Sequence, residues 1–205
     1  MTGAKTHDDM SPGLLRVMER ARRDPHERQF SLAYLIDVEA LKRAYGRIRK
    51  DAAVGVDGVT KEMYGQDLER KLSDLRNRLR AMQYRHQPIR RVHIPKDRSR
   101  TRPIGISCLA DKIVQGALTE ILGAIYEQDF LNGSFGFRPK RSAHDALRAL
   151  YRAVREGGAN VIFEADVTSF FQHGPSSDHV GDARRADSGQ VVYAACGKVF
   201  ACRRA

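Results

Sequence analysis

The 205 residues carry 36 Lys plus Arg against 25 Asp plus Glu, a net charge of +11 with His neutral, and a pI near 9.9. Charged residues at 30% beside apolar residues at 41%, with no Trp, describe a water-soluble chain able to bury a core, which excludes a membrane-spanning protein and a fully disordered one. The length suits one ordinary domain or part of a larger one; the polar start from Met1 to Met10 lacks the apolar stretch of a secretory signal, and three cysteines are too few for a disulfide scaffold, so a reducing cytoplasm is the expected compartment.

Ser11 before Pro12 predicts an N-cap and first helical position, opening a short basic helix that carries Leu14, Leu15 and Met18 and stops at Asp24-Pro25. Residues 1 to 36 read as a basic N-terminal extension. Asp37 is placed to cap a second helix, in which Val38, Leu41, Tyr45 and Ile48 share one face, ending before the Gly55-Val56-Asp57-Gly58 turn. A third helix lines up Leu68, Leu72, Leu75, Leu79 and Met82 as a core stripe, too short for a coiled coil, and leaves Arg70, Arg76, Arg78 and Arg80 elsewhere on its surface.

Next, Val92 and Ile94 alternate with Arg91 and His93, a polar stretch runs from Lys96 to Thr101, and Arg102 to Ile106 follows. This predicts a β-hairpin with cationic side chains along it. A long helix then buries Val114, Leu118, Ile121 and Ile125. Asn132-Gly133-Ser134 breaks the chain, and Ser142 with Asp145 forms a capping box for a helix expected to bury Ala143, Leu147, Leu150 and Val154. After Gly157-Gly158, Val161 to Ala165 reads as a buried strand that delivers Asp166 at its C-terminal end.

Between Arg76 and Pro103 stand ten basic side chains, Arg76, Arg78, Arg80, Arg85, Arg90, Arg91, Lys96, Arg98, Arg100 and Arg102, against one acid, Asp97. Such a density repels itself unless an anionic partner is near, and the planar fork of arginine suits bidentate phosphate contacts. Nucleic acid is the expected partner, with a solvated basic surface as the bland alternative. A carboxylate leaving a strand end, as Asp166 does, is a common place for a metal ion and a phosphate substrate, although an isolated Asp there is more often a turn or cap residue.

The order of these pieces carries more than any one of them. Gly55-Val56-Asp57-Gly58, Ile94-Pro95-Lys96, Arg102-Pro103-Ile104-Gly105-Ile106, Asp111-Lys112-Ile113-Val114-Gln115, Ser134-Phe135-Gly136-Phe137-Arg138-Pro139 and Asp166-Val167-Thr168-Ser169-Phe170-Phe171 resemble the first half of a group II intron reverse transcriptase/maturase, over roughly residues 37 to 171. Bacterial retron-type reverse transcriptases share part of the pattern. The resemblance implies an α+β fragment of a right-hand polymerase: helical fingers with a β-hairpin over residues 37 to 160, then the beginning of an antiparallel palm over 161 to 171. RNA-directed DNA polymerisation is the implied activity, with template or intron RNA, a DNA primer and deoxynucleotide triphosphates as partners.

Residue by residue, the resemblance implies that Lys96 and Arg102 contact the triphosphate, each otherwise an ordinary surface cation. Arg138 would hold a phosphate or a base plane with Phe135 or Phe137 behind it; the alternative is a Pro-bounded loop whose aromatics fill the core. Arg76, Arg80, Arg90, Arg91, Arg98, Arg100, Lys140 and Arg141 would contact nucleic acid. Asp166, with the carbonyl of Val167, would bind Mg²⁺ in a two-metal site, the ions roughly 3.5 to 4 Å apart, and Phe171 would crowd the sugar 2′-hydroxyl. Asp57 and Gly58 match an early motif and receive no catalytic task.

The chain also departs from the family pattern. Asp97-Arg98-Ser99 stands where the family has a Pro and a Gly in the hairpin turn. After Phe171 come Gln172-His173-Gly174-Pro175, and no Tyr-x-Asp-Asp, the source of the remaining metal ligands, occurs anywhere. Residues 172 to 205 are read as a divergent tail, frameshifted or disordered, with Val191-Val192-Tyr193 able to form a short strand. Cys196 and Cys202 with His173 or His179 match no common zinc spacing, and free thiols are the simpler reading. The expectation is a polymerase fragment that is inactive alone, with a non-catalytic basic RNA-binding module as the alternative.

Overall fold

A computed structural model describes residues 10–24, 32–95, 101–156 and 161–164. The architecture is α+β: six α-helices, one 3₁₀ turn and a two-stranded antiparallel sheet among the described residues. These residues divide into two compact units, 10–24 with 124–164 in one and 32–123 in the other.

In the larger unit a 3₁₀ turn, Leu32–Leu35, leads to α2, Val38–Arg47, where Asp37 caps the helix by accepting from the Ala40 N–H at 2.7 Å. A short α3, Lys61–Gly65, which the apolar spacing does not reveal, is capped by Thr60 accepting from Met63 N–H at 3.2 Å. Helix α4, Leu68–Arg80, buries Leu72, Leu75 and Leu79. Met82, expected on that stripe, lies past the helix end at φ 58° and is exposed. There it forms the left-handed turn after a helix terminus, with Gln83 N–H donating to Arg78 O at 2.9 Å.

Strands β1, Arg90–Pro95, and β2, Thr101–Ile106, form the expected hairpin, and α5, Leu109–Tyr126, follows. Its expected stripe, Val114, Leu118, Ile121 and Ile125, is buried, along with Ile113, Ala117 and Ala124. Helices α2 and α5 approach closely because small residues face each other: a Cβ added to Gly116 would stand 3.2 Å from that of Ala44. One turn along, the Glu120 carboxylate, 5% exposed, accepts from Arg43 at 3.2 Å and Arg47 at 2.6 Å. Arginines four apart on one helix thus straddle one carboxylate on the next, which offsets the cost of taking that charge out of water.

The smaller unit contains α1, Pro12–Arg23, and α6, Ala143–Arg155. Ser11 caps α1, as its sequence predicts, and Leu14, Val17 and Ala21 are its buried residues. Helix α6 has the expected capping box: Ser142 Oγ accepts from Asp145 N–H at 3.2 Å, and the Asp145 carboxylate accepts from Ser142 N–H at 2.9 Å. The Ser142 hydroxyl also donates to the Asp145 carboxylate at 2.6 Å, and this bond first, with the one from Ser142 N–H, holds the Asp145 carboxyl below the usual carboxylate range.

The burial expected of α6 is not found. Leu147, Leu150 and Val154 are exposed at 61%, 44% and 43%, and Ala143 is also exposed. An amphipathic pattern gives a helix a face to bury, while burial needs an element opposite, and no described residue covers this one. Over Val161 to Glu164 the expected buried strand is not found: among the described residues they pair with no strand, and Val161 and Phe163 are 83% and 89% exposed. A β-rich segment becomes a strand only when a neighbour supplies the ladder. Ala165 lies outside the described residues.

The two helices therefore separate in their response to truncation. Leu75→Ala in α4 is expected to cost roughly 2–5 kcal/mol, and Leu150→Ala in α6 less than about 1 kcal/mol. Urea unfolding of the two variants checks this; equal losses would show that the α6 stripe is packed.

Candidate nucleic-acid interface

The register pairs Arg91 with Gly105 and His93 with Pro103, and Val92 with Ile104 and Ile94 with Arg102. Cross-strand partners share a face, so Arg91 and His93 stand on one face, whereas Val92, Ile94, Ile104 and Ile106 line the other with Arg90 and Arg102 at its two ends. Arg90, Arg91 and Arg102 are all exposed. Gly105 is required by the packing at the hairpin base, since an added Cβ would meet the Ile89 side chain at 2.7 Å.

The hairpin base is tied down from the first turn of α5. Asp111 is a buried carboxylate, 4% exposed. It accepts the phenol proton of Tyr84 and, at 3.2 Å, the N–H of Gln87. Both partners lie in the connection from α4 to β1. The next residue, Lys112, donates to the carbonyl of Ala53, and burial pushes its ammonium below the usual lysine range. Arg90 Nε donates to Val54 O at 3.0 Å. Gly55 lies so close to Cys108 that a Cβ would stand 2.6 Å from its Cα. Asp57 then accepts from Val59 N–H at 3.2 Å, and Gly58 takes φ 67°, a conformation costly for any residue with a Cβ. The Gly-Val-Asp-Gly and Asp-Lys-Ile-Val-Gln motifs are therefore two halves of one clamp.

In the same unit, Arg80 is exposed on α4 and Arg76 half-buried, while Arg78 pairs with Asp74 at 2.9 Å. Lys96, Arg98 and Arg100 in the hairpin turn, and Asp166, Val167 and Phe171, lie outside the described residues. The hairpin carries Arg90 and Arg102 at the two ends of one face and Arg91 on the other. Arg138, Lys140 and Arg141 belong to the other unit.

Arg138 is committed within its own loop. Its Nε and Nη2 grip the Glu127 carboxylate at 3.1 and 2.8 Å, Nη1 donates to the carbonyls of Leu131 and Ser134 at 2.8 and 2.9 Å, and the guanidinium lies 5.0 Å over the Phe130 ring. The side chain is 7% exposed. Arg141 lies 5.4 Å over the ring of Phe135. Neither expected outcome for Phe137 is met: it neither packs behind Arg138 nor fills a core, being fully exposed at φ 57°. Lys140, also exposed, has φ 58°.

Among the described residues no group of three or more His, Cys, Asp or Glu side chains converges to hold a metal ion. No helix there is long and apolar enough to cross a membrane.

No family model matches the chain. Comparison with individual proteins is more informative. A stretch of 148 residues, 72% of this chain and 24% of the relative, is 34% identical to the group II intron-encoded protein LtrA of Lactococcus lactis. A putative COX1/OXI3 intron 1 protein of Saccharomyces cerevisiae is 30% identical over 140 residues, 68% of this chain and 16% of that protein. The chain belongs to the group II intron reverse transcriptase/maturase family. Protein YkfC of Escherichia coli is 41% identical over 120 residues, 57% of this chain and 32% of that one. The chain thus spans less than a third of the length of these relatives.

The Tyr84–Asp111 pair gives the clamp a pH dependence. Burial first, then the hydrogen bond to Asp111, raises the Tyr84 phenol far above its ordinary value, which is about 10. Above that pH the unfolded chain loses a proton that the folded one keeps, so this contribution to stability is complete below about pH 10 and declines above it. Tyr84→Phe is expected to cost about 1–3 kcal/mol at neutral pH by leaving the carboxylate short of a donor, and to flatten the alkaline decline. Phenolate absorbance during a pH titration checks it: one of the seven tyrosines should ionise only as the protein unfolds.

Proposed function

We propose that the chain is part of an RNA-directed DNA polymerase of the group II intron type, with residues 37 to 160 serving as fingers and the segment from residue 161 opening the palm. The observation that supports this reading best is the clamped basic hairpin: Arg91 and Arg102 are exposed on strands whose base is tied to α5 by Asp111 and Lys112. A rigid base lets exposed arginines meet phosphate without first being ordered, which lowers the entropic cost of binding. The relatives' names place them in introns, and intron or template RNA is the partner this chemistry suits, with a DNA primer and deoxynucleotide triphosphates joining it in a complete polymerase.

On this reading Lys96 and Arg102, on either side of the hairpin turn, neutralise the triphosphate, and Phe171 screens the sugar. Arg76, Arg80, Arg90, Arg91, Arg98 and Arg100 supply phosphate contacts. Asp166 and the Val167 carbonyl match a Mg²⁺-binding motif of a two-metal site; when bound, one ion would lower the pKa of the primer hydroxyl and the other would hold the triphosphate. That chemistry needs further carboxylates, and these 205 residues contain no Tyr-x-Asp-Asp. The chain by itself is thereby a binding module, one that holds RNA and does not extend a primer.

The test is RNA affinity as a function of salt. Log Kd is expected to rise linearly with log salt, and Arg91→Gln with Arg102→Gln to reduce the slope by about 1–2. A slope unchanged in the double variant would remove the hairpin from the interface. Mg²⁺-dependent primer extension on RNA by the purified chain would overturn the binding-only reading, and RNA affinity that depends on added nucleotide would show that a polymerase pocket is already formed.

A further inference from the structure

Phe137 combines two features that rarely coincide. It is fully exposed, and it sits at φ 57°, a backbone conformation that is an outlier for a bulky side chain and costs free energy unless its surroundings impose it. The surroundings do impose it. The next residue, Arg138, is fixed by Glu127 and by the carbonyls of Leu131 and Ser134, so the chain entering and leaving Arg138 has little freedom. Strain and solvation both act against a phenyl ring here, and neither is repaid by any contact within the described residues.

The charge around the ring says what repays them. From Gly136 to Arg155 the sequence has six Lys and Arg, namely Arg138, Lys140, Arg141, Arg148, Arg152 and Arg155, against one acid, Asp145. Arg138 is answered by Glu127 and Arg148 by Asp145, but an apolar partner helix or an acyl chain would take the ring and bring no counter-charge for Lys140, Arg141, Arg152 and Arg155. A single-stranded nucleic acid answers both, because each nucleotide brings a π-face and a phosphate. Lys140, three residues on and equally exposed, is the nearest cation not committed to the clasp.

We infer that Phe137 is a stacking platform for an unpaired base of single-stranded RNA, held out by the Arg138 clasp, with Lys140 on the adjoining phosphate. This rests on the RNA-binding reading above and adds to it a second contact of a different kind, apolar and insensitive to salt.

Phe137→Gly removes the ring and relieves the backbone at once. Its melting temperature is expected to equal or exceed that of the parent, while affinity for a single-stranded RNA oligonucleotide falls roughly 5- to 100-fold, with the salt slope unchanged because no charge is lost. A hairpin-arginine variant does the reverse and lowers the slope. Since the chain has no Trp, Phe137→Trp places a lone indole at the site, and its fluorescence should be quenched by single-stranded RNA more strongly than by a duplex of equal length. Equal affinity of Phe137→Gly and parent, with the parent still binding in a salt-dependent way, would overturn the stacking role and leave the hairpin reading intact. Equal quenching by duplex would also overturn it. Failure of the parent to bind RNA at all would overturn both.

Discussion

The fold depends most on one buried carboxylate. Asp111, in the first turn of α5, is almost wholly removed from water, and an ionised group there is tolerated only if donors replace the hydration it has lost. Tyr84 and Gln87 supply them, and because both lie just before β1, the requirement fixes where the hairpin starts. Its neighbours extend the effect. Lys112 holds Ala53, and Cys108 accepts the close approach of Gly55, so three chain segments meet at one helix start. A two-stranded ribbon is marginal by itself in water; here its stability is borrowed from the α2–α4–α5 core.

The structure also sorts the arginines by what they do. A net charge of +11 says that the chain will attract polyanions, and says nothing about which cations are available. Arg43 and Arg47 are committed to Glu120, and Arg138 to Glu127 and two carbonyls. Arg138 holds a loop in shape, and the loop in turn holds Phe137 out. Arg102, on the hairpin ribbon, is exposed. Arginine suits both tasks, since its fork saturates a carboxylate and two carbonyls as readily as it grips a phosphate.

What was legible in the sequence is what local spacing encodes. The caps at Ser11, Asp37 and Ser142 were readable because donor and acceptor lie within a few residues, and the α4 and α5 stripes because their period is that of the helix. The roles of Asp111 and Lys112 were not, because their partners lie 24 to 59 residues away and nothing in the local pattern distinguishes a clamp from a solvated pair. An Asp-Lys pair opening an apolar helix beside a Val-Asp-Gly turn was the available signal. Leu147, Leu150 and Val154 show the opposite error: the period was right and burial did not follow. Periodicity states which face can be buried; an opposing surface decides whether it is.

The described side chains favour a grip that is blind to sequence. On the reading proposed above, arginines on a hairpin would meet phosphates, which are the same at every nucleotide, and an exposed phenyl ring would meet a π-face that every base has. Sequence-specific RNA recognition instead needs donors and acceptors aimed at base edges within a shaped pocket, and neither the exposed hairpin faces nor the Phe137 loop presents one.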